Sequence, residues 1–541
     1  VEHKTYKKVI LVILDGFGVA SYSHGNAIAQ AQPEVLDYIV GHYPSLTLQA
    51  SGPLVGLPWG EMGNSEVGHL NIGAGRIVGQ DLPRINEEIQ NREFFKNPAF
   101  LAACDHVKKN NSQLHLAGMI SGGNVHSSDE HLYALLEVAA EQGVKEVYIH
   151  MFTDGRDTGE KVALESLQKL NEKIMEIGVG KVATIAGRFY AMDRGKHWEQ
   201  TEMTYQAMVN GVGVAAYSAE DAILNSYNQG VYDEMIHPTV IVRKNDNDAD
   251  LYPMAKIDDH DAVIFFNFRQ DRATQLVQAF VSPEIMGIIS HHEAPPGLLI
   301  ITMTEYYFGL PVTIAYPTQN LANNLAEAIS KAGLSQFHLA ESEKFAHVTS
   351  FFNGGVSAEL PGEERHIVKS PADNSSNYSD RPEMSGMEIT DILVDRISHS
   401  DTNFILANFA NADMVGHTGN LAAAVKAVKY LDRFLEKIME ACLAVGGVLI
   451  ITADHGNIEQ MINMKTGEID KDHTTNPVPF LLIASEFCFE KGRSRDYLSL
   501  SSRVPDGVIS DIAPTVLELM GLPKPAEMTG INLLEGLENN S

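Results

Sequence analysis

Short aliphatic runs without polar interruption recur along this chain, and many of them close on a loop that carries a charged residue. Residues 9–14 read Val-Ile-Leu-Val-Ile-Leu and stop at Asp15-Gly16-Phe17-Gly18. A run with no polar alternation fits a strand covered on both faces, as in a parallel sheet between helical layers. Comparable runs occupy 113–119, 146–151, 181–186, 262–266, 298–303, 403–407, 448–452 and 479–483. Helical patterns lie between several of them, at 131–142, 162–177, 320–332 and 421–445. Strand alternating with helix predicts an α/β architecture with mainly parallel sheets. In such sheets ligands collect beyond the carboxyl ends of the strands. Asp15, Asp154, Arg188, Arg269, Asp413 and Asp454 all follow these runs.

A chain of 541 residues exceeds what one simple core organises. Its chemistry is also segregated. Metal-type groups lie near both ends and arginine-rich motifs lie in the middle. This predicts a discontinuous outer domain, residues 1–79 and 319–541, with a second α/β domain, 80–318, inserted into it. Polar, turn-rich stretches at 244–250 and 491–506 are expected as surface insertions, and 370–381 has a similar composition. A net charge of −30 excludes nucleic acid and anionic membranes as partners. No apolar run approaches the ~18 residues of a membrane span. The three cysteines, Cys104, Cys442 and Cys488, are odd in number and far apart, so a reducing, cytoplasmic setting is expected.

Asp413 and His417 stand at i and i+4, one face of a helical turn, and can converge on one ion. Asp454-His455 follows the run at 448–452, Asp15 ends the first run, and His473 lies in a polar loop before 479–483. A lone aspartate at a strand end is ordinarily a helix cap. Several Asp/His groupings at strand ends are better explained as ligands, and mixed carboxylate and imidazole donors suit Mn²⁺ or Zn²⁺. Ser65, in Met62-Gly63-Asn64-Ser65-Glu66-Val67-Gly68-His69, is locally no more than a turn serine. Beside two divalent ions it becomes a nucleophile, because the ions lower the pKa of a bound hydroxyl and clamp an in-line phosphoryl displacement.

The middle region carries Asp154-Gly155-Arg156-Asp157, Gly187-Arg188 with Asp193-Arg194, and Arg269-Gln270-Asp271-Arg272. Arginine binds carboxylate and phosphate bidentately and keeps its charge. Together these arginines point to a small, multiply anionic substrate, although nearby aspartates allow ordinary surface pairing. Gly122-Gly123-Asn124-Val125-His126 adds a glycine-rich turn with a histidine. Lys344 is open to two readings, one in a cleft and one at the surface.

These motifs, taken in order with Asn71–Arg76, 340–355, Pro382-Glu383-Met384 and Asp511-Ile512-Ala513-Pro514-Thr515, resemble nearly end to end the cofactor-independent phosphoglycerate mutases of the alkaline phosphatase superfamily. The resemblance implies interconversion of 3-phosphoglycerate and 2-phosphoglycerate in glycolysis and gluconeogenesis, without 2,3-bisphosphoglycerate. It implies two Mn²⁺ ions per chain, with other divalent ions such as Co²⁺ able to serve. Asp413, His417 and His473 would hold one ion; Asp15, Ser65, Asp454 and His455 would hold the other. Ser65 would become phosphoserine. His126, Arg156, Asp157, Arg188, Arg194, Arg269, Arg272 and Lys344 would bind substrate. Asp157 is also expected to shuttle the hydroxyl proton, and closure of the two domains to exclude water. Action as a cytoplasmic monomer is expected. A metal-dependent phosphohydrolase or a phosphopentomutase of the same superfamily is the alternative.

Overall fold

The computed structural model describes residues 4–244, 251–282, 294–307, 309–319, 321–371, 375–463 and 465–538. Most of the expected insertion at 244–250 lies outside them. The chain forms two compact units, Val1–Gln80 with Asn320–Ser541, and Asp81–Gln319.

The first unit is built on an eight-stranded sheet. Its order is Glu363–Val368, Gln336–Glu341, Phe404–Phe409, Val9–Leu14, Val448–Thr452, Val478–Ile483, Ser45–Gln49 and Gly507–Val508. The first five strands run parallel, and Val478–Ile483 is antiparallel to both its neighbours. Val9–Leu14 lies inside this sheet with every residue buried, which is why it reads as an unbroken aliphatic run. Each such side chain removed from water stabilises the fold by about 1.5–3 kcal/mol. Register places Leu14 beside Phe409 and Ile13 beside Thr452, so the loops carrying Asp15, Asp413 and Asp454 leave the same end of the sheet. The long helix Leu421–Ala444 starts at Asn420, whose side chain accepts the Ala423 N–H. It buries Ala424, Val428, Leu431, Leu435 and Ile438 at helical spacing.

The second unit has a nine-stranded sheet. Thr313–Tyr316, Leu299–Thr304, Ala262–Phe265, Leu114–Met119, Val147–Thr153 and Lys181–Gly187 are parallel neighbours in that order, and Thr239–Lys244 continues antiparallel. Asp154 and Arg188 sit directly past the carboxyl ends of two adjacent strands.

Several strands lack the aliphatic signature. Gln336–Glu341 is wholly buried yet contains Gln336, His338 and Glu341. Gln336 and His338 find internal partners: His338 Nδ1 meets the Val348 carbonyl at 2.7 Å, and Gln336 Nε2 donates to the Ala326 carbonyl at 2.9 Å. The 491–506 stretch is not merely a surface insertion. Tyr497 and Leu500 are buried in it, and the Tyr497 hydroxyl donates to the Gly18 carbonyl at 3.0 Å. Among the described residues no helix is long and apolar enough to cross a membrane.

Candidate active site

Asn64 turns the chain into the helix Ser65–Ala74, its side chain accepting the Val67 N–H at 2.9 Å. Ser65 is thereby fixed in the first helical turn, where backbone N–H groups have no intrahelical partner. The helix lies tight against the Asp454 loop: a Cβ on Gly68 would stand 2.7 Å from the Asp454 carbonyl oxygen, so no larger residue fits there without displacing Ser65.

The Ser65 hydroxyl is buried among charged groups. It donates to Asp15 Oδ1 at 3.1 Å and lies 3.0 Å from His455 Nε2. Lys344 Nζ donates to Ser65 Oγ at 2.7 Å, and to Asp15 Oδ1 and Asp413 Oδ2 at 2.6 Å each. Lys344 is therefore not the surface residue its local sequence allowed; it is 4 % exposed. Burial alone would raise Asp15 and Asp413, but the Lys344 charge holds both carboxyls well below the ordinary range. Burial likewise disfavours the Lys344 ammonium, and those two carboxylates outweigh it and raise its pKa.

Potential ligand atoms converge in two overlapping groups. Asp413, His455 and His473 offer atoms within 4.8 Å of one another, as do Asp15, Asp454 and His455. His417 joins the first group: its Nε2 is 3.2 Å from Asp413 Oδ1 and 3.1 Å from His473 Nε2. The structure thus brings all the sequence-expected metal ligands together, with His455 shared between the groups. Their hydrogen bonding suits a cation. Nδ1 faces a backbone carbonyl in each histidine: Lys471 for His417 at 2.8 Å, Gly63 for His473 at 2.8 Å and Gly456 for His455 at 3.2 Å. A carbonyl can only accept, so Nδ1 carries the hydrogen and each Nε2 points a lone pair at the carboxylates. Asp454 Oδ2 is buried with no hydrogen-bond partner among the described residues. Facing lone pairs and an orphaned carboxylate oxygen cost several kcal/mol unless a proton or metal ion lies between them. Without a metal ion a proton fills that role at His455: burial lowers its pKa, but the Asp454, Asp15 and Asp413 carboxylates outweigh burial and bring it to about 9.

A supporting layer was not singled out by sequence reasoning. Asn408 Nδ2 donates to Asp15 Oδ2 at 2.8 Å and Asn457 Nδ2 to Asp413 Oδ1 at 3.1 Å. His69 Nδ1 lies 2.8 Å from the Ser65 carbonyl and 3.2 Å from Asp454 Oδ2. Glu459 is buried and ties three ligand-bearing loops together. Its carboxylate accepts the Gly18 N–H at 3.1 Å, the Asn457 N–H at 2.8 Å, Asn476 Nδ2 at 3.0 Å and the Thr474 hydroxyl. His69 falls inside the Met62–His69 motif, and Asn457 lies two residues past Asp454-His455. Glu459 has no local signal, because only Asn457 is its sequence neighbour and its other donors, Gly18, Thr474 and Asn476, lie in two further loops.

The second unit holds the arginine set. Asp154 anchors the turn after its strand: Oδ1 accepts the N–H groups of Arg156 and Asp157 at 3.2 and 3.0 Å, and Oδ2 accepts the Ser121 hydroxyl at 2.6 Å. Arg188, 4 % exposed, donates from Nη1 to Asp154 Oδ1 at 2.6 Å and to Asp157 Oδ2 at 2.5 Å, and from Nη2 to His126 Nε2 at 3.0 Å. An arginine donates only, so His126 is neutral there. Burial first, and then the Arg188 charge, lower its pKa to about 4. Asp271 receives Arg194 Nη1 at 2.8 Å and Arg269 Nε at 3.1 Å. Arg156 is 3.8 Å from Glu234. Arg272 is half-buried and has no ion pair among the described residues; burial and the charges of Arg194, Arg188 and Arg156 lower its pKa. His126, Arg156, Asp157, Arg188, Arg194, Arg269 and Arg272 all belong to this unit, whereas Lys344 belongs to the first.

Residues 85–307 match a family model described as the BPG-independent PGAM N-terminus. The chain is 48% identical over 529 residues to 2,3-bisphosphoglycerate-independent phosphoglycerate mutase 1 of Methanosarcina acetivorans, with 98% of each covered. It is 46% identical over 529 residues to the 2,3-bisphosphoglycerate-independent phosphoglycerate mutase of Clostridioides difficile, covering 98% of this chain and 99% of that one. Its fold is similar to a crystal structure of Leishmania mexicana phosphoglycerate mutase at low cobalt concentration, with 27% identity, 98% of each chain covered and a TM-score of 0.63.

Proposed function

The chain belongs to the 2,3-bisphosphoglycerate-independent phosphoglycerate mutases, and we propose that it works through a phosphoserine at Ser65. It is an isomerase that interconverts 3-phosphoglycerate and 2-phosphoglycerate and depends on divalent metal. The observation that carries the residue-level reading is the setting of Ser65 Oγ, buried against Asp15, His455 and the Lys344 ammonium. No ordinary turn serine keeps that company.

In this reading Asp413, His417 and His473 hold one ion, and Asp15, Ser65, Asp454 and His455 the other. Bound Mn²⁺, or Co²⁺ in its place, would lower the pKa of the serine hydroxyl and neutralise charge on the phosphoryl oxygens. The Ser65 oxygen attacks phosphorus and the bond from phosphorus to the substrate hydroxyl oxygen breaks. Lys344, already donating to Ser65 Oγ, supports the developing charge and then donates to phosphoryl oxygen. The glycerate stays bound through its carboxylate, and its other hydroxyl attacks phosphoserine to regenerate Ser65. His126, Arg156, Arg188, Arg194, Arg269 and Arg272 hold the anionic substrate. Asp157 moves the proton between its two hydroxyls, with Arg188 fixing its carboxylate. Glu459 acts as a positioning residue for the ligand loops. Domains 1–79 with 319–541 and 80–318 divide the work between phosphoryl transfer and substrate binding. Two ions per chain, action as a monomer and a cytoplasmic location complete the reading.

The test supplies 3-phosphoglycerate and Mn²⁺ without 2,3-bisphosphoglycerate, quenches in acid and maps the labelled phosphoryl group by mass spectrometry. Production of 2-phosphoglycerate with phosphate on Ser65 is expected. Free phosphate and glycerate would mark a phosphohydrolase, and label on another residue would remove Ser65 from its role.

A further inference from the structure

A cavity of about 380 Å³ opens in the first unit beside the amino end of the strand Ser45–Gln49. That strand runs parallel in direction to Val9–Leu14, since two antiparallel steps separate them in the sheet. Its amino end therefore lies at the opposite end of the sheet from Asp15 and the metal-type cluster. The cavity is lined by Arg493, Arg495 and Arg503 together with apolar Val40, Leu46 and Leu500. In a chain of net charge −30, three guanidinium groups around one concavity form a local reversal of the field.

The wall that carries them is fixed to the body. Phe489 N–H donates to the His42 carbonyl at 2.8 Å, Arg493 N–H to Gly41 at 2.8 Å, Tyr497 N–H to Asp37 Oδ1 at 2.9 Å and Asp506 N–H to Thr47 at 2.7 Å. Two arginines are set in place by their surroundings. Arg503 donates to the Ser45 carbonyl at 2.8 Å and to Asp506 Oδ1 at 2.9 Å, and the Arg493 guanidinium lies 3.9 Å over the Phe489 ring. The Arg495 side chain, exposed at the rim, has no hydrogen bond or ion pair among the described residues. Of the nearby acidic groups, Asp506 pairs with Arg503, Asp496 Oδ1 takes the Ser499 N–H at 2.8 Å, and Asp37 takes Tyr497. Preset donors lower the ordering cost of binding an anion, and an unpaired guanidinium gains most from one.

We propose that this cavity is a binding site, separate from the catalytic cluster, for a small phosphate monoester with an apolar or aromatic body. The arginines take the phosphate and the Val40, Leu46 and Leu500 wall takes the body. Phosphoglycerate, polar throughout, does not match that wall.

Phenylphosphonate, whose P–C bond resists hydrolysis, is titrated calorimetrically into the full chain with Mn²⁺ and saturating 3-phosphoglycerate to block the catalytic site. One equivalent is expected to bind per chain. Arg495→Glu and Arg495→Ala are each expected to weaken it, the former at least about tenfold, while mutase turnover stays within twofold of the parent as a check on folding. Absence of binding beyond the blocked site, or unchanged affinity in both variants, overturns the proposal. Inorganic phosphate binding as tightly as phenylphosphonate removes the apolar wall from it, and benzoate binding more tightly than phenylphosphonate overturns the choice of phosphate.

Discussion

The metal-type cluster of the first unit and the arginine cluster of the second face opposite electrostatic problems. In the first, acidic and imidazole groups are packed into the interior. Asp15, Asp454 and His455 are fully buried, and Lys344 pairs with the Asp15 and Asp413 carboxylates inside the protein. In the second, most of the charge stays in water: the side chains of Arg156, Arg194 and Arg269 are 51–58% exposed, and only Arg188 is buried. A buried cluster is rigid and costly to leave unbalanced. An exposed one is cheap to hold, and its ion pairs exchange easily for a ligand. The first arrangement suits a nucleophile that must be exact in position; the second suits arginines that trade Asp271 or Glu234 for substrate oxygens.

The largest expected effect tests the first cluster directly. Ser65→Ala should reduce mutase turnover by about 10⁴-fold or more, since it removes the hydroxyl that takes the phosphoryl group. Turnover within tenfold of the parent would break the reading of this site. Next is Lys344→Met. In metal-free protein it strands Asp15 and Asp413 without their cation and should destabilise by about 3–5 kcal/mol. Added Mn²⁺ should recover much of that loss, because the metal replaces the missing charge. Denaturant unfolding with and without EDTA measures both. A loss that Mn²⁺ does not reduce would show Lys344 to be a packing residue.

How much of this was legible in the sequence follows the same division between local and distant partners. The central strands announced themselves because both faces are covered and nothing polar is needed. Gln336–Glu341 did not, since its polar His338 and Gln336 are buried against the Val348 and Ala326 carbonyls, each 10 residues away, and no apolar pattern marks such pairs. The i, i+4 spacing of Asp413 and His417 was readable because a helical turn sets that geometry. Lys344 was ambiguous because its neighbours Asp15, Ser65 and Asp413 lie 329, 279 and 69 residues away along the chain. Glu459 was invisible for the same reason, its four donors coming from three loops. Arg188 and Asp157 could be named from their positions past strands, but only the fold shows that Arg188 joins Asp154, Asp157 and His126.

The histidines sharpen the comparison through pH. His126 has a folded pKa of about 4, because burial and Arg188 disfavour its charge, against about 6.5 unfolded. The unfolded chain therefore binds more protons between these values, so this contribution is complete above pH 6.5 and is lost as pH falls toward 4. It amounts to about 3 kcal/mol. His126→Asn removes it, so the stability gap between parent and variant should narrow by that order between pH 7 and pH 4.5 in urea unfolding. A gap independent of pH would contradict a neutral His126. A smaller effect is expected at Glu459→Gln. Its amide cannot accept at every oxygen position used by Gly18, Asn457, Asn476 and Thr474, so Mn²⁺ affinity should fall about 10–100-fold by calorimetry on stripped protein, with far-UV circular dichroism unchanged. Unaltered affinity would make Glu459 a structural residue only.

The smallest expected change in stability belongs to the exposed cluster and isolates its logic. Arg194 is 57% exposed and pairs with Asp271, so Arg194→Ala should cost less than about 1 kcal/mol of stability. If the pair exists to be exchanged for substrate, the same variant should raise KM for 3-phosphoglycerate by about tenfold or more, the loss of one charge-assisted contact. The two measurements must diverge. A stability loss of several kcal/mol would mean that the arginine cluster is a structural network like the buried one. An unchanged KM with unchanged stability would mean that Arg194 is only a solvated side chain. Only a stable variant with weakened substrate binding keeps the distinction between a cluster built to stay fixed and one built to change partners.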